Sequence, residues 1–264
     1  MSTPPTTTPA PDSGPDTPAW TVRETRPENH DVTSLFLEPP EGAAIPSWRP
    51  GQFATIRLKT PDGWSEPHPF TITCPPIEPG QDACLRMTIK SVDPFTSHIR
   101  ELAPGAPVLL AGPYGTFLKD VDEHDAVCMI AGGVGVTPFL SALRHFRDTG
   151  ADNHCVLFWS NKTPEDAFAA GELAGMTATL DLTVVHCFSR ATAEQVAAFP
   201  ASGRVYAHRG RLSRDILDRH TPGPGWGRAW TAVCGPPPMQ AAVLDMLESL
   251  GVDRDAVQTE AFVF

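Results

Sequence analysis

A glycine-rich segment near the middle of the chain, residues 130–138, has the composition of a turn that holds a phosphate. An apolar run leads into Gly132, Gly133 and Gly135, and a helical pattern follows. Glycines let the backbone approach a ligand closely, and the free N–H groups of a helix that starts there face a phosphate. Thr137 is the predicted N-cap, and Pro138 suits the first helical turn. Pro138 stands where the third glycine of G-x-G-x-x-G would be, so a purely structural turn stays an open alternative.

A second turn of the same kind lies at residues 233–239, Val-Cys-Gly-Pro-Pro-Pro-Met. It also follows an apolar run and precedes a helical pattern. Two such turns at the carboxyl ends of parallel strands line one crevice, where nucleotides bind. The residues that we expect to contact a nucleotide from this side are Gly235, Pro236 and Met239. A proline-rich helix start without a ligand is the alternative.

The order of five motifs along the chain carries a resemblance. The tetrapeptide His68–Thr71 is followed by segments 112–115, 132–138, 234–239 and 260–262. From about residue 20 to the end, this order resembles the ferredoxin–NADP reductase superfamily. Most members have Arg-x-Tyr-Ser at the first motif. The His-Pro-Phe-Thr form resembles the flavin domains of ferric reductases and NADPH oxidases, without their membrane haem domain.

The resemblance implies that FAD binds in the first half of the chain. Phe70 would pack along the flavin, Thr71 would place its hydroxyl near flavin N5, and His68 would replace the arginine that holds the diphosphate. A neutral imidazole is a weaker anion partner than a guanidinium. We therefore expect Thr96 and Ser97, at the start of a short helix, to share that task. The other implied FAD-binding residues are Pro69, Lys90, Gly112, Tyr114 and Gly115, and ordinary core and capping roles are the alternative.

Cys234 and Glu260 resemble the family residues beside the nicotinamide ring, and with Thr71 they are the implied catalytic residues. Cys234 would lie near the hydride-donating carbon, and Glu260 would hydrogen-bond Cys234 or relay protons. A buried structural thiol and a solvated acid are the alternatives. In the family an aromatic residue near the C-terminus often covers the flavin. Phe262 fits the E-x-F pattern and Phe264 is the last residue, so which of them stacks stays open.

Four residues are predicted to hold the phosphate that distinguishes NADPH from NADH, and we therefore expect NADPH. Ser189 and Arg190 follow a predicted strand at its carboxyl end, where ligands bind. Arg204 and Tyr206 resemble the basic-x-Tyr pattern of NADPH-using members, and arginine matches phosphate oxygens with its planar fork. Ser-Arg also occurs at this place in NADH-using relatives, and the basic segment 204–219 could instead dock a partner.

Two segments with different sequence patterns would position these residues. Residues 19–118 predict an antiparallel FAD-binding β-barrel of Greek-key type, because short alternating segments are split by Pro and Gly turns. Residues 119–264 predict an α/β nucleotide-binding domain with a parallel sheet, because apolar runs alternate with helical patterns. The predicted barrel strands are 33–37, 53–58, 70–73 and 85–89, with one helix at 96–102. The predicted sheet strands are 126–130, 155–159, 182–187 and 230–234, with helices at 138–146, 164–174, 213–219 and 237–250.

The bulk composition limits the class of protein. The 264 residues, 41% hydrophobic and 19% charged, suffice for two globular domains. Residues 1–18, rich in Pro and Thr, predict a disordered tail. The net charge of −11 argues against nucleic acid or an anionic membrane as partner. We expect neither a membrane span nor a secretory leader. The spacing of the six cysteines and nine histidines predicts reduced thiols, no metal centre and a cytoplasmic location.

Together, these features predict an FAD-dependent NAD(P)H oxidoreductase that passes electrons through the flavin to a separate acceptor. That acceptor could be a ferredoxin-like protein, an oxygenase component, a haem protein or a ferric complex. A regulatory or electron-transfer flavoprotein subunit, active only within a larger complex, is the alternative. A hydrolase or transferase is disfavoured, because the sequence has neither a G-x-S-x-G elbow nor a G-x-x-x-x-G-K-[ST] loop.

Overall fold

The computed structural model describes residues 18–43, 45–76, 84–223 and 225–262. The predicted disordered tail, apart from its last residue, lies outside the described residues, and so does Phe264. Among the described residues, no helix combines the length and the apolar character that crossing a bilayer requires.

The first half of the chain forms an antiparallel barrel, as predicted. Its elements are β1 (Trp20–Pro27), β2 (Val32–Glu38), β3 (Phe53–Thr60), β4 (Gly63–Trp64), β5 (His68–Thr71), β6 (Leu85–Lys90), α1 (Pro94–His98) and β7 (Pro107–Tyr114). The strand order is β4-β3-β7-β1-β2-β6, and β5 pairs with β3. Just after β5, Ile72 bridges Met87 of β6, so the ladder returns to β6 and closes the barrel. Closure leaves few unpaired edges.

The barrel strands turn alternate side chains inward, which explains their sequence pattern. In β3, Ala54, Ile56 and Leu58 are buried, and the residues between them are more exposed. They meet buried apolar side chains from the other strands in one core. Alternation is strict in β3, whereas β2 and β6 also bury four and three consecutive residues, respectively, so the predicted strands 33–37 and 85–89 rest on β-branched and apolar residues as well. β1 and β7 were missed, because charged residues interrupt β1 and proline begins β7.

The second half forms a parallel sheet, also as predicted. Its strands are β8 (Ala126–Gly132), β9 (His154–Asn161), β10 (Leu182–Phe188), β11 (Val205–Arg209), β12 (Trp230–Gly235) and β13 (Gln258–Ala261). The order is β11-β10-β9-β8-β12-β13, and every pairing is parallel. The connecting helices are α2 (Thr137–Thr149), α3 (Ala170–Met176), α4 (Ala193–Ala198), α5 (Arg214–Arg219) and α6 (Pro237–Ser249). This architecture brings the carboxyl ends of β8, β9, β10 and β12 to one edge, where ligands bind in such sheets.

Successive residues of the central strands pack into two separate cores, one on each face of the sheet. Met129 of β8 belongs to one core, and its neighbours Cys128 and Ile130 belong to the other. A strand buried on both faces reads as a continuous apolar run, which is why β8, β9 and β10 could be predicted. The edge strands β11 and β13 are half exposed and therefore lack such a run. No sequence pattern predicted them.

The two sheets meet directly, and the segment between them packs against the second. Phe117 and Leu118, which the predicted boundary assigns to the barrel, are buried in a core of the parallel sheet. The backbone N–H of Leu118 donates to the side chain of Gln258 at 3.1 Å. The boundary at residue 119 stays a prediction, and these contacts favour a division slightly earlier.

Candidate functional site

Two adjoining cavities lie between the barrel and the carboxyl edge of the parallel sheet. The barrel cavity, of about 460 Å³, is bordered by Phe70, Thr71 and Glu260. The sheet cavity, of about 660 Å³, is bordered by the glycine turn after β8 and by the ends of β9 and β10. Lys90, Val134 and Phe262 contribute to both walls. Two elongated ligands could therefore meet end to end where the cavities join.

The first motif lies on β5 and forms one wall of the barrel cavity. His68, Pro69, Phe70 and Thr71 all line it, and β5 is held there by its pairing with β3. The imidazole of His68 stacks on Phe95, with 3.6 Å between ring centroids. Its Nδ1 lies 2.9 Å from the carbonyl oxygen of Glu66, which can only accept, so Nδ1 carries the proton. That bond uses Nδ1, so a ligand of His68 would meet Nε2.

The helix beside this wall starts two residues earlier than predicted. α1 begins at Pro94, and Asp93 is its N-cap: the carboxylate accepts from the backbone N–H and the hydroxyl of Thr96, each at 2.7 Å. Thr96 lines the cavity but is the third helical residue, and exposed Ser97 does not line it. The prediction that Thr96 and Ser97 open an anion-binding helix end is wrong, because the Asp93 carboxylate already fills that end.

The motif at residues 112–115 lies behind the cavity wall. A Cβ at Gly112 would meet Ala54 at 2.9 Å, and one at Gly115 would meet the Phe53 ring at 3.1 Å. Tyr114 contacts the same ring, with centroids 5.8 Å apart. Phe53 itself lines the barrel cavity. That Gly112, Tyr114 and Gly115 contact the cofactor directly stays a prediction; they pack against the segment that carries Phe53, which does line the cavity.

The two predicted glycine turns come together at the sheet edge, because β8 and β12 are neighbours. Gly132 and Gly133 line the sheet cavity, and so do Pro236 and Met239. Gly135 and Gly235 lie behind them, where the turns touch: a Cβ at Gly135 would lie 2.5 Å from the carbonyl oxygen of Cys234. The glycines are required for this close approach.

Thr137 does not have the predicted capping role. A short 3-10 turn, Gly133–Val136, precedes α2, and Thr137 is already helical. Its hydroxyl donates to the carbonyl oxygen of Val134 at 3.0 Å. Thr137 lines the barrel cavity instead of the sheet cavity, and Pro138 is buried behind it.

Cys234 and Glu260 lie side by side, since they are partners in the ladder between β12 and β13. Glu260 borders the barrel cavity, whereas Cys234 is fully buried just behind. Burial raises the pKa of Glu260 to about 7. Burial, with the nearby Glu260, also raises the pKa of the Cys234 thiol well above its ordinary value. At neutral pH the thiol is therefore protonated, and the carboxyl group can hold or release a proton.

The predicted phosphate residues separate into two groups. Ser189 and Arg190 line the sheet cavity, and their N–H groups donate to the carbonyl oxygens of Asn161 and Lys162 at 3.0 and 2.8 Å. Arg204 lies at the opposite edge of the sheet, ion-paired with Asp181 before β10. At about 3.3 Å per residue, the strand separates the two groups by roughly 16 Å.

Tyr206 is likewise outside the sheet cavity: its ring is 40% exposed and lies 4.5 Å from that of His220. Grouping Arg204 and Tyr206 with Ser189 and Arg190 is therefore wrong. The basic residue that does line the sheet cavity with Arg190 is Arg211. In the sequence, Arg211 belongs to the basic segment 204–219. The sequence alone does not show which arginine of that segment reaches the cavity.

Several lining residues were not singled out from the sequence. In the barrel cavity they are Phe53, Thr88, Ile89, Val92 and Asp93, and in the sheet cavity Asn161, Lys162, Arg211 and Leu212. Asn161 ends β9 beside the glycine turn, and its buried side-chain amide nitrogen has no hydrogen-bond partner among the described residues. Asn161 and Lys162 could have been predicted as lining residues, because they lie at the carboxyl end of a parallel strand, where ligands bind.

One group of possible metal ligands occurs among the described residues. Atoms of His30, Asp31 and Asp166 lie within 4.8 Å of one another. The ammonium group of Lys90 already lies 2.6 Å from Asp31, and His30 is exposed. This group does not indicate a metal site, and the absence of a metal centre stays a prediction.

Comparisons with known proteins agree with this geometry. Residues 129–245 match the family model described as the oxidoreductase NAD-binding domain. The FAD/NAD-binding domain of nitric oxide dioxygenase from Vibrio cholerae superposes with a TM-score of 0.77 at 20% identity, covering 93% of this chain and 98% of that one. A ferredoxin–NADP⁺ reductase from Neisseria gonorrhoeae gives 0.71 at 16% identity, covering 92% and 97%. These likenesses show that the chain shares the two-domain fold of these proteins.

One similar curated protein is the reductase component of propane 2-monooxygenase from Rhodococcus jostii. It is 29% identical over 245 residues, which are 91% of this chain. The chain spans about three-fifths of that relative, 62% of its length.

Replacing Gly135 with Ala tests whether the crevice depends on the contact between its two glycine turns. The new Cβ would press against the Cys234 carbonyl, so we expect a loss of about 2 kcal/mol or more in unfolding free energy, as for overpacked cores. Gly171→Ala in α3 is the matched control, because nothing lies within 4 Å of the added atom. It should be neutral or stabilise by up to about 1 kcal/mol. Equal denaturant midpoints for the two variants would contradict the contact.

The raised pKa of Glu260 predicts a pH dependence of stability. In the unfolded chain this carboxyl ionises near 4.5, whereas the folded protein holds the proton to about pH 7. Between these values the folded state binds more protons, so stability should fall as pH rises from 4.5 to 7 and then level off. Each pKa unit corresponds to about 1.4 kcal/mol. Denaturant unfolding of Glu260→Gln should lack this decline, and parallel pH curves for both proteins would contradict the assignment.

Proposed function

We propose that this protein is an FAD-dependent NAD(P)H oxidoreductase that passes electrons to a separate acceptor. The observation that carries the proposal is the joining of an aromatic-lined barrel cavity to a nucleotide crevice. Their shared wall, Val134 and Phe262, is the place where two planar rings could stack. The similar structures point the same way, because one is an FAD/NAD-binding domain and the other contains bound FAD and NADP.

The barrel cavity fits a flavin ring. The rings of Phe70 and Phe262 offer flat apolar surface, and Val92 adds an aliphatic contact. The hydroxyls of Thr71 and Thr88 offer polar contacts. Lys90 supplies a cation for a diphosphate. When bound, FAD accepts a hydride from the reduced nicotinamide and passes electrons on. The preference for FAD over FMN rests on the superfamily likeness.

The sheet cavity fits a nicotinamide coenzyme. The backbone of Gly132 and Gly133 would face its diphosphate, and the carbonyl oxygen of Gly133 is held by the Trp159 indole N–H at 2.8 Å. Ser189, Arg190 and Arg211 would hold the phosphate of NADPH on the adenosine ribose. Arginine pairs on one cavity wall are suited to that dianion.

Three residues near the junction have proposed catalytic roles. Thr71 would orient the flavin through its hydroxyl, and neutral Cys234 would shape the place of the nicotinamide from behind Gly135. Glu260, with a pKa of about 7, would exchange the proton that accompanies electron transfer. Phe262, which borders both cavities, is the proposed aromatic cover.

The acceptor is proposed by likeness alone. The Rhodococcus relative is by name the reductase component of a monooxygenase, which favours an oxygenase component as acceptor. A subunit active only within a larger complex is the second candidate. The six free cysteines favour a reducing, cytoplasmic location.

Purification followed by anaerobic titration tests the proposed function. The pure protein should show a flavin spectrum, release FAD on denaturation, and bleach when NADPH or NADH is added. If the cofactor is lost during purification, titration of the apoprotein with FAD shows whether the protein binds it. Protein that neither releases flavin nor takes up FAD would refute the proposal. Bleaching only after addition of a stable partner would favour the subunit role.

Replacing Cys234 with Ala tests its proposed place in hydride transfer. The variant should keep its flavin, because Cys234 does not line the barrel cavity, yet reduce it at least about tenfold more slowly, or roughly 1.4 kcal/mol of barrier. Rapid mixing with coenzyme measures the rate. Cys128→Ala, another fully buried thiol in the same sheet, is the matched control. Equal rates for the two variants would remove Cys234 from the mechanism.

The coenzyme preference is tested with Arg190→Ala combined with Arg211→Ala. The pair should lose at least about tenfold in kcat/KM for NADPH and stay near wild type for NADH, because the extra phosphate is the group they would contact. Arg204→Ala is the control, since its guanidinium pairs with Asp181 far from the cavity. Equal losses for both coenzymes, or a wild-type preference for NADH, would overturn the assignment.

A further inference from the structure

Arg144 on α2 is buried at the contact between the two sheets. It is 3% exposed, and its guanidinium makes three short hydrogen bonds. Two go side by side to Glu172 of α3, at 2.7 and 2.6 Å, and the third goes to the carbonyl oxygen of Thr73 at 2.6 Å. One planar group thus ties the nucleotide-binding half to the barrel.

The place of this contact connects the two cavities. Thr73 lies two residues after Thr71, which lines the barrel cavity. On α2, residues 137, 141 and 144 share one face, because they are four and three residues apart. Ser141 on that face donates to the carbonyl oxygen of Cys74 at 3.1 Å. The helix that begins at the glycine turn is therefore docked on the end of the strand segment that carries the flavin wall.

The chemistry of the contact requires arginine. A guanidinium can bond a carboxylate with two N–H groups and still direct a third to a carbonyl, whereas a lysine ammonium has no such planar fork. Although burial opposes it, the hydrogen bond from Arg144 holds the pKa of Glu172 below its ordinary value. Glu172 is therefore ionised at neutral pH. Its carboxylate bonds two N–H groups of the guanidinium, and a third N–H remains to donate to the carbonyl oxygen of Thr73.

We propose that Arg144 is a positioning residue: its bond to Thr73 sets the separation between the flavin wall and the glycine turn. The inference rests on the proposed function, in which a hydride crosses between ligands of the two cavities. Such a transfer is steep in distance, and a misplacement of about 1 Å can lower a rate by about a hundredfold. The bond acts on the geometry of transfer, and each ligand keeps its own contacts.

Two variants that both break the ion pair between Arg144 and Glu172 test whether Arg144 positions the flavin wall or only stabilises the fold. Glu172→Gln removes the charge but leaves Arg144 free to bond Thr73. Arg144→Gln removes the guanidinium, so the bond from NH1 to Thr73 is lost together with the two bonds to Glu172. Both variants should melt at lower temperature than wild type. Arg147→Gln, on the same helix and with its guanidinium 3.9 Å from Glu172, is the control that removes a charge beside this carboxylate without touching Thr73.

The measurements are flavin content, affinity for oxidised NADP⁺, amide hydrogen exchange and the anaerobic rate of flavin reduction at saturating NADPH. We expect all variants to keep flavin and to bind NADP⁺ within about threefold of wild type. Glu172→Gln should be reduced within about threefold of the wild-type rate, and Arg144→Gln at least about tenfold more slowly. Exchange should rise at residues 71–76 and 137–144 in Arg144→Gln alone.

Several results would overturn the inference. Reduction of Arg144→Gln within about threefold of Glu172→Gln would mean that the contact only stabilises the fold. Unchanged exchange at 71–76 would mean that the bond to Thr73 holds nothing in place. If Arg144→Gln does not fold, Arg144→Lys replaces it, with the same comparison. Wild-type protein that holds flavin but is reduced by neither coenzyme would refute the proposed function first, whereas normal reduction of both proteins would refute only the inference.

Discussion

The nucleotide crevice depends on backbone meeting backbone with no side chain between. Gly135 lies against the carbonyl of Cys234, and Gly235 lies against Gly132, where an added Cβ would be 3.1 Å from the Gly132 nitrogen. The neighbouring places of β8 and β12 in the sheet bring these turns together. The same approach leaves Cys234 buried directly behind the crevice. The glycines thus decide the shape of the cavity, the burial of the thiol and the start of α2.

Burial also decides which groups near the crevice carry charge. Cys234 and Glu260 are adjacent, and for both the first cause of the raised pKa is loss of contact with water. A protonated thiol adds volume without charge, so it does not compete with a coenzyme for cations. The carboxyl group, with a pKa near neutrality, is the one group there that changes protonation readily. Burial therefore keeps the Cys234 thiol protonated, whereas it leaves the Glu260 carboxyl group able to gain or lose a proton near neutral pH.

The sequence was informative wherever a local pattern determines the structure. Continuous apolar runs marked the doubly buried strands, and glycine after such a run marked the turn at residues 132–135. It was uninformative where a distant partner decides. Arg204 and Arg211 are equally basic, and only the parallel register, which puts Arg204 beside Asp181, shows which one reaches the cavity. In α1 the capping carboxylate of Asp93 was overlooked, because Thr96 and Ser97 are equally acceptable caps in isolation.

The distribution of charge suggests how the barrel cavity would hold its ligand. Among the described residues that line it, Lys90 is the single lysine or arginine, and its ammonium lies 2.6 Å from Asp31. A diphosphate must share Lys90 with Asp31 or displace it, and displacement would strand a partly buried carboxylate. The Asp93 carboxylate caps the N-terminus of α1 and adds negative charge at the cavity wall. The charges that line this cavity therefore favour a diphosphate little, which leaves the apolar surface of Phe70 and Phe262 as the larger source of affinity for a flavin.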